Sequence, residues 1–270
     1  MAGSLADPDP AVVTALRAAG CVYAEEEAAL LEEESREGGD LALMLARRVA
    51  GEPLEQVLGW AEFCGLRIKV TPGVFVPRKR TENLVELAIM FAPKRDDPLV
   101  VVDLCCGTGA IGVAVAASVP GIELHAADID PDAVACARLN VTMGQVHEGY
   151  LYDALPAELR GRVDLLLVNA PYVPTEEIRM MPPEARLHEH HVALDGGLDG
   201  LEVHRRVALE ATEWLAPGGS LLIETSPRQA ADTARSCMEG GLRVHVFGSD
   251  PVRVVRAISA GSGSSGTMTR

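Results

Sequence analysis

Val100-Val101-Val102-Asp103-Leu104-Cys105-Cys106-Gly107-Thr108-Gly109-Ala110 is the stretch that decides the fold. Its first half is a short apolar run, the pattern of a strand covered on both faces of a sheet. Gly107 and Gly109 break the run and let backbone turn sharply or approach a neighbour closely. Residues 109–118 are then expected as a helix. A buried strand, a glycine turn and a helix in that order are the opening unit of a parallel, doubly wound sheet.

The alternation continues downstream. Leu99–Leu104, Glu123–Ala127, Gln145–His147, Val163–Val168 and Ser220–Glu224 are expected strands, with helices at Pro131–Val141, Leu201–Leu215 and Pro227–Glu239. Leu242–Phe247 and Val252–Ala257 are late strands with no helix between them, which implies an antiparallel edge hairpin. Residues 81–258, entered through a helix from Thr81 to Met90, form the main α/β domain. Residues 259–270, rich in Ser, Gly and Thr, are expected as a disordered tail.

Upstream, residues 53–80 change period. Phe63, Leu66, Ile68, Val70, Val74 and Val76, set around Gly65 and Pro72-Gly73, suggest a β-hairpin linker. Residues 1–52 read as a small helical domain. Asp9-Pro10 and Asp40 are start signals, and a further helix covers 24–36. This region carries eleven acids against four arginines. Two readings of it stand: a solvated acidic face, or a docking surface for a basic partner.

Composition narrows the function. The chain has 270 residues, 48% hydrophobic but only 4% aromatic, and a net charge of −15. A field of that sign repels phosphate backbones, and Arg78-Lys79-Arg80 is the longest basic cluster, so nucleic acid is excluded as a partner. The first residues lack a basic flank and an apolar segment, and no run approaches the roughly 18 residues of a membrane span. Six scattered cysteines read as reduced thiols, so a cytoplasmic protein is expected.

Asp103, just before the glycine turn, suits a cationic group such as an amino-acid ammonium, and the next helix N-terminus offers free N–H groups. Asp128 closes the following strand, where an acid accepts hydrogen bonds from a ribose diol. The phosphate-binding pattern G-x-G-x-x-G is missing. Ammonium binder, glycine turn and diol binder together specify S-adenosylmethionine better than a nicotinamide dinucleotide. Asp130, rather than Asp128, is the expected cap of the helix at Pro131. Cys105-Cys106 has no second Cys/His pair nearby in sequence and reads as small residues lining the loop rather than a metal pair.

A second informative stretch is Val168-Asn169-Ala170-Pro171-Tyr172-Val173-Pro174. Pro171 and Pro174 forbid continuation of the preceding core strand. An amide, carbonyls without a following N–H and an aromatic ring are thereby set at a strand end, where open α/β sheets place ligands. An ordinary strand-ending turn uses the same residue types. The donor-side residues are what favour a site.

Asp103-Leu-Cys-Cys-Gly-Thr-Gly109, Asp128 and Asn169-Ala-Pro-Tyr172 resemble the class I methyltransferases with an N-P-P-Y acceptor motif. Pro53-Leu-Glu-Gln-Val-Leu-Gly59 and Val74-Phe-Val-Pro-Arg-Lys-Arg-Thr-Glu82 are similar to the P-x-Q-Y-I-L-G and P-R-P-x-T-E segments of the HemK/PrmC family. These are protein-(glutamine-N5) methyltransferases acting on peptide-chain release factors, and the likeness covers about residues 53–257. The resemblance implies a Rossmann-like sheet with a small N-terminal substrate-docking domain, S-adenosylmethionine as methyl donor, S-adenosylhomocysteine as product, and a protein substrate. It assigns cofactor contacts to Phe75, Asp103, Cys105, Cys106, Gly107, Thr108, Gly109, Asp128, Ile129, Tyr150, Leu151 and Asn169, and acceptor contacts to Asn169, Ala170, Pro171 and Tyr172. It implies no metal. In that scheme the Asn169 side-chain oxygen and the Ala170 carbonyl accept the two N–H bonds of an acceptor amide. Tyr172 packs on the amide plane.

Four departures from the family pattern matter, and the last, in the N-terminal domain and the histidine loop, touches the substrate side. Cys105 stands where glycine is usual, which requires a backbone conformation open to a side chain. Ala170 replaces the first proline, keeping the carbonyl and losing rigidity. Tyr150 stands where an aspartate often lies beside adenine, so recognition of the exocyclic amine is expected either to weaken or to pass to stacking. The N-terminal domain is short and acidic, and His188-Glu189-His190-His191 alters the loop after the acceptor motif. A small-molecule amine or amide acceptor, or a cofactor-binding fold without activity, therefore stand as alternatives. The histidines read as a polar lid loop. Asp195-Gly-Gly-Leu-Asp-Gly200 reads as a turn entering the next helix, since it lacks the last glutamate of a calcium loop.

Overall fold

The computed structural model describes residues 7–95 and 97–260. The N-terminal part holds four helices: α1 (Pro10–Ala18), α2 (Ala24–Arg36), α3 (Leu41–Val49) and α4 (Leu54–Leu58). Asp9 and Asp40 cap the first and third, accepting the Ala11 N–H at 2.8 Å and the Leu43 N–H at 3.1 Å. Leu16, Ala28, Leu31, Met44, Val57 and Leu58 meet in a core of their own. Helix α4 lies in the stretch read from sequence as hairpin alone. It is a single turn, too short to show a period, and Gly59 ends it with φ +80°. The hairpin follows as β1 (Trp60–Phe63) and β2 (Leu66–Lys69), turning through Cys64 and Gly65, both at positive φ as a two-residue hairpin turn demands.

The main body comprises α5 (Glu82–Phe91), β3 (Leu99–Leu104), α6 (Ala110–Ser118), β4 (Ile122–Asp128), α7 (Pro131–Asn140), β5 (Gln145–Glu148), β6 (Val163–Val168), α8 (Pro183–His188), α9 (Glu202–Trp214), β7 (Leu215–Thr225), α10 (Ala230–Glu239), β8 (Arg243–Phe247) and β9 (Arg253–Ile258). Its seven strands lie in the order β5-β4-β3-β6-β7-β9-β8. Strands β3 to β7 are parallel neighbours, and β9 inserts antiparallel between β7 and β8. The late hairpin expected at the edge is present, but only β9 opposes the sheet; β8, paired to it, runs with the rest. The tail expected at 259–270 falls, beyond Ala260, outside the described residues.

Burial follows topology. Every residue of β3 and β6 is buried, because helices cover both faces. One face packs under α9 and α10 around Trp214, with Tyr152 stacked on it at 5.5 Å. The other packs under α5, α6 and α7 and receives Phe63 and Ile68 from the hairpin. Leu165, Leu166 and Leu167 are fully buried, each contributing about 1.5–3 kcal/mol. Asp164 is the polar interruption in β6. It is held by the Val100 N–H at 2.9 Å and by Arg95 at 2.6 Å.

From β3 the chain winds outward through β4 and β5, then returns to β6 on the other side of β3. The crevice past the carboxyl ends of β3 and β6 is the topological switch point, where such sheets bind ligands.

Candidate active site

A cavity of about 490 Å³ opens at that switch point. The loop after β3 supplies Cys105, Cys106, Gly107 and Thr108; the end of β4 supplies Asp128 and Ile129; the loop after β5 supplies Tyr150 and Leu151. Asn169, Ala170, Pro171 and Tyr172 enter from the end of β6, and Phe75 from the segment after the hairpin. Residues from five separate stretches thus share one space.

Two of the expected contacts, Gly109 and Asp103, are not in the cavity wall itself. Gly109 does not line the cavity. It sits at φ +76° as the residue before α6, and a Cβ there would come within 2.9 Å of Val141. Its role is close packing of turn on helix. Asp103 is fully buried behind the loop. Its Oδ2 accepts the Gly112 N–H at 2.8 Å, while Oδ1 is buried with no hydrogen-bond partner. Burial, with the Asp128 charge adding, pushes this carboxyl up to about 7.

Asp128 accepts the Gly107 N–H through Oδ2 at 2.8 Å and the Asp130 N–H through Oδ1 at 3.0 Å. Burial raises its pKa, and these backbone bonds oppose the rise. Asp130 caps α7, as expected. At Gly107 a Cβ would meet open space, so its backbone faces the cavity unobstructed. Cys105 is at φ +57°. The conformation expected to be open to a side chain is the left-handed region, which for a non-glycine residue costs about 1 kcal/mol or more. Leu151 shares the condition at φ +46°. Tyr150 is half exposed at the cavity rim.

On the acceptor side, Asn169 Nδ2 donates to Thr81 Oγ1 at 3.4 Å. Tyr172 accepts from Arg80 Nη2 at 3.4 Å through its hydroxyl, and its carbonyl accepts from Gln229 Nε2 at 2.9 Å. Burial raises the Tyr172 pKa, helped by Glu224.

The histidine loop is strapped to the segment before the site. His190 donates its backbone N–H to the Gly73 carbonyl at 2.8 Å. The Glu189 carboxylate accepts the Val76 N–H at 3.1 Å and pairs with Arg78. Gln56 Nε2 donates to the His188 carbonyl at 3.0 Å. His190 Nδ1 lies 2.6 Å from Asp130 and its Nε2 3.8 Å from Asp132. These three side chains are close enough to surround an ion, and the His190–Asp130 contact joins the loop to the donor turn. His191 lines the cavity, as a lid residue would.

Arg80, Thr81 and Glu224 were not singled out from sequence as site residues. Thr81 and Arg80 lie inside the quoted segment Val74–Glu82. Glu224 carried the same signal as Asp128, an acid at the carboxyl end of a core strand.

The donor set fits S-adenosylmethionine. The unpaired, buried Asp103 oxygen matches an ammonium group, Asp128 retains lone pairs for a diol, and Gly107 leaves room for backbone approach. A doubly wound sheet with this cavity at its switch point defines a class I methyltransferase. Residues 65–197 match the family described as "Methyltransferase small domain". A methyltransferase of Pyrococcus furiosus has the same fold, with a TM-score of 0.54 and 15% identity, covering 81% of this chain and 99% of that one. A release factor glutamine methyltransferase of Geobacter sulfurreducens is 39% identical over 69% of this chain and 65% of its own length. That of Streptomyces coelicolor is 40% identical over 69% of this chain and 67% of its own length. The chain thus spans about two thirds of the length of these curated relatives. It belongs to the release factor glutamine methyltransferase family.

Proposed function

We propose that this protein transfers a methyl group from S-adenosylmethionine to the side-chain amide nitrogen of a glutamine in a peptide-chain release factor. The observation that carries it is the convergence of Asn169, Ala170, Pro171 and Tyr172 on the cavity that also holds the donor loop and Asp128. The names of the relatives supply the substrate. The −15 charge opposes a nucleic-acid acceptor.

S-adenosylmethionine supplies an electrophilic methyl on a sulfonium. An amide nitrogen is a poor nucleophile because its lone pair is delocalised. The Asn169 Oδ1 and the Ala170 carbonyl accept its two N–H bonds and hold it in place. Tyr172 flanks the amide plane. Asp103 holds the cofactor ammonium and Asp128 its diol. Rate enhancement comes from positioning and electrostatics, and no ionisable base is needed before transfer. The proton leaves afterwards from the more acidic product cation. The helical part, residues 7–52, is the proposed docking element, joined to the site loop where Arg48 donates to Glu184 at 2.6 Å. Among the described residues no helix is long and apolar enough to cross a membrane, and all six cysteines are free, which supports a cytoplasmic setting.

The test is labelled-methyl transfer to a purified release factor. Wild-type protein should label one glutamine and Asn169→Ala should not. Full activity in Asn169→Ala would sink the clamp. Label appearing only on small molecules would move the acceptor from protein to metabolite.

A further inference from the structure

Val168 of β6 pairs in parallel register with Ile223 of β7, so the next residues, Asn169 and Glu224, end side by side. Glu224 is wholly buried, and neither carboxylate oxygen has a hydrogen bond of ordinary geometry. A buried acid in that condition destabilises a core strand. Val254 of β9 is the register partner of Glu224 on one side, and the polar groups near its carboxyl stand on the acceptor side. Burial raises its pKa, and the nearby Thr81 and Tyr172 hydroxyls and Arg80 oppose the rise. Arg80 Nε is 3.9 Å from Oε1, and the same guanidinium donates to the Tyr172 hydroxyl. Thr81, also buried, accepts the Asn169 Nδ2 bond.

A threonine hydroxyl has one proton to donate. Given to the Glu224 carboxylate, it leaves only lone pairs facing Asn169, and those accept the amide NH2 and repel the amide oxygen. Asn169 Oδ1 is then turned away from Thr81 and toward the acceptor. The opposite orientation would set an NH2 against the N–H of the acceptor, donor on donor. We propose that Glu224 and Thr81 are positioning residues that set which edge of the Asn169 amide faces the acceptor. The catalytic consequence rests on the glutamine-methylation reading above.

Thr81→Val keeps the shape and removes the hydroxyl; Thr81→Ser restores it. With a purified release factor, Thr81→Val should lower kcat by about tenfold to a hundredfold, the worth of one hydrogen bond made to the wrong partner. The KM for S-adenosylmethionine and the affinity for S-adenosylhomocysteine should not change, and Thr81→Ser should recover the rate. Glu224→Leu, a replacement that buried acids often tolerate, should match Thr81→Val, and the double variant should be no slower than either single one. A wild-type kcat in Thr81→Val, or a Thr81→Ser as slow as Thr81→Val, overturns the proposal.

A second measurement needs no acceptor. The Asn169 side-chain amide signal, identified by its loss in Asn169→Ala, should exchange hydrogen slowly in wild type and Thr81→Ser and quickly in Thr81→Val. Equal exchange in all three overturns the proposal. If wild-type protein leaves the release factor unlabelled, the substrate reading fails, and the exchange experiment still decides the Asn169 orientation.

Discussion

The Gly112 N–H donates to Asp103 Oδ2 at 2.8 Å and leaves Oδ1 as the unpaired end of a fully buried carboxylate. Helix α6 therefore grips one oxygen of Asp103, the penultimate residue of the central strand, and leaves the other without a partner. With its pKa at about 7, this acid is poised between neutral and charged in the ligand-free protein.

If the proposed reading holds, a cofactor ammonium beside Asp103 favours the ionised form, and affinity for S-adenosylhomocysteine should rise as pH increases through about 7. Asp103→Asn should flatten that rise and weaken binding by about tenfold to a hundredfold. Calorimetric titration across pH checks both. The stability sign is opposite. A folded-state pKa raised above the ordinary carboxylate range stabilises the ligand-free fold at low pH and loses that contribution as pH rises through about 7. Ligand-free Asp103→Asn should therefore melt higher than wild type above that pH.

Gly200 lies at φ +75°, and a Cβ there would come within 2.4 Å of the Tyr172 carbonyl oxygen. Gly200→Ala must both strain its own backbone and push Tyr172. Methyl transfer should fall by about tenfold or more, because small misplacements at a reacting centre are expensive. Affinity for S-adenosylhomocysteine should hold, since the donor loop is untouched. Parallel rate and binding measurements separate the two effects.

Arg48 is buried between Glu27, at 2.6 Å, and Glu184, at 2.6 Å. Removing it strands the Glu27 carboxylate in the helical core. Arg48→Ala should lower stability by about 3–5 kcal/mol in urea unfolding. Glu184→Ala should cost less than about 1 kcal/mol, since that partner is half exposed.

His204 is fully buried, with Nδ1 3.1 Å from the Thr233 hydroxyl and Nε2 unpartnered. Burial pushes its pKa down to about 4. A depressed histidine destabilises the fold as pH falls from its ordinary value near 6.5 toward 4. The loss should reach roughly 3 kcal/mol, at about 1.4 kcal/mol per unit. His204→Asn should remove that slope from the acid limb of melting temperature against pH.

Much of the architecture was legible from local pattern. The apolar runs at 99–104 and 163–168 have the length and Val/Leu content of strands covered on both sides, and Pro171 with Pro174 stop the second from continuing. Asp9, Asp40 and Asp130 announced their helices because a cap is a contact within one turn of chain. The one-turn helix α4 and the insertion of β9 beside β7 left no periodic trace.

The sequence by itself determined the strand–turn–helix order, the two loops that line the cavity, and the charges available to them, because these depend on neighbours a few residues apart. Only the tertiary structure decided that Asp103 is buried with one free oxygen, that Gly109 packs close to Val141 outside the cavity lining, and that Glu224, Thr81 and Asn169 stand together. Those relations join residues from different strands and turns. Their energies come from burial and from hydrogen bonds across the sheet, which exist only once β3, β6 and β7 lie side by side.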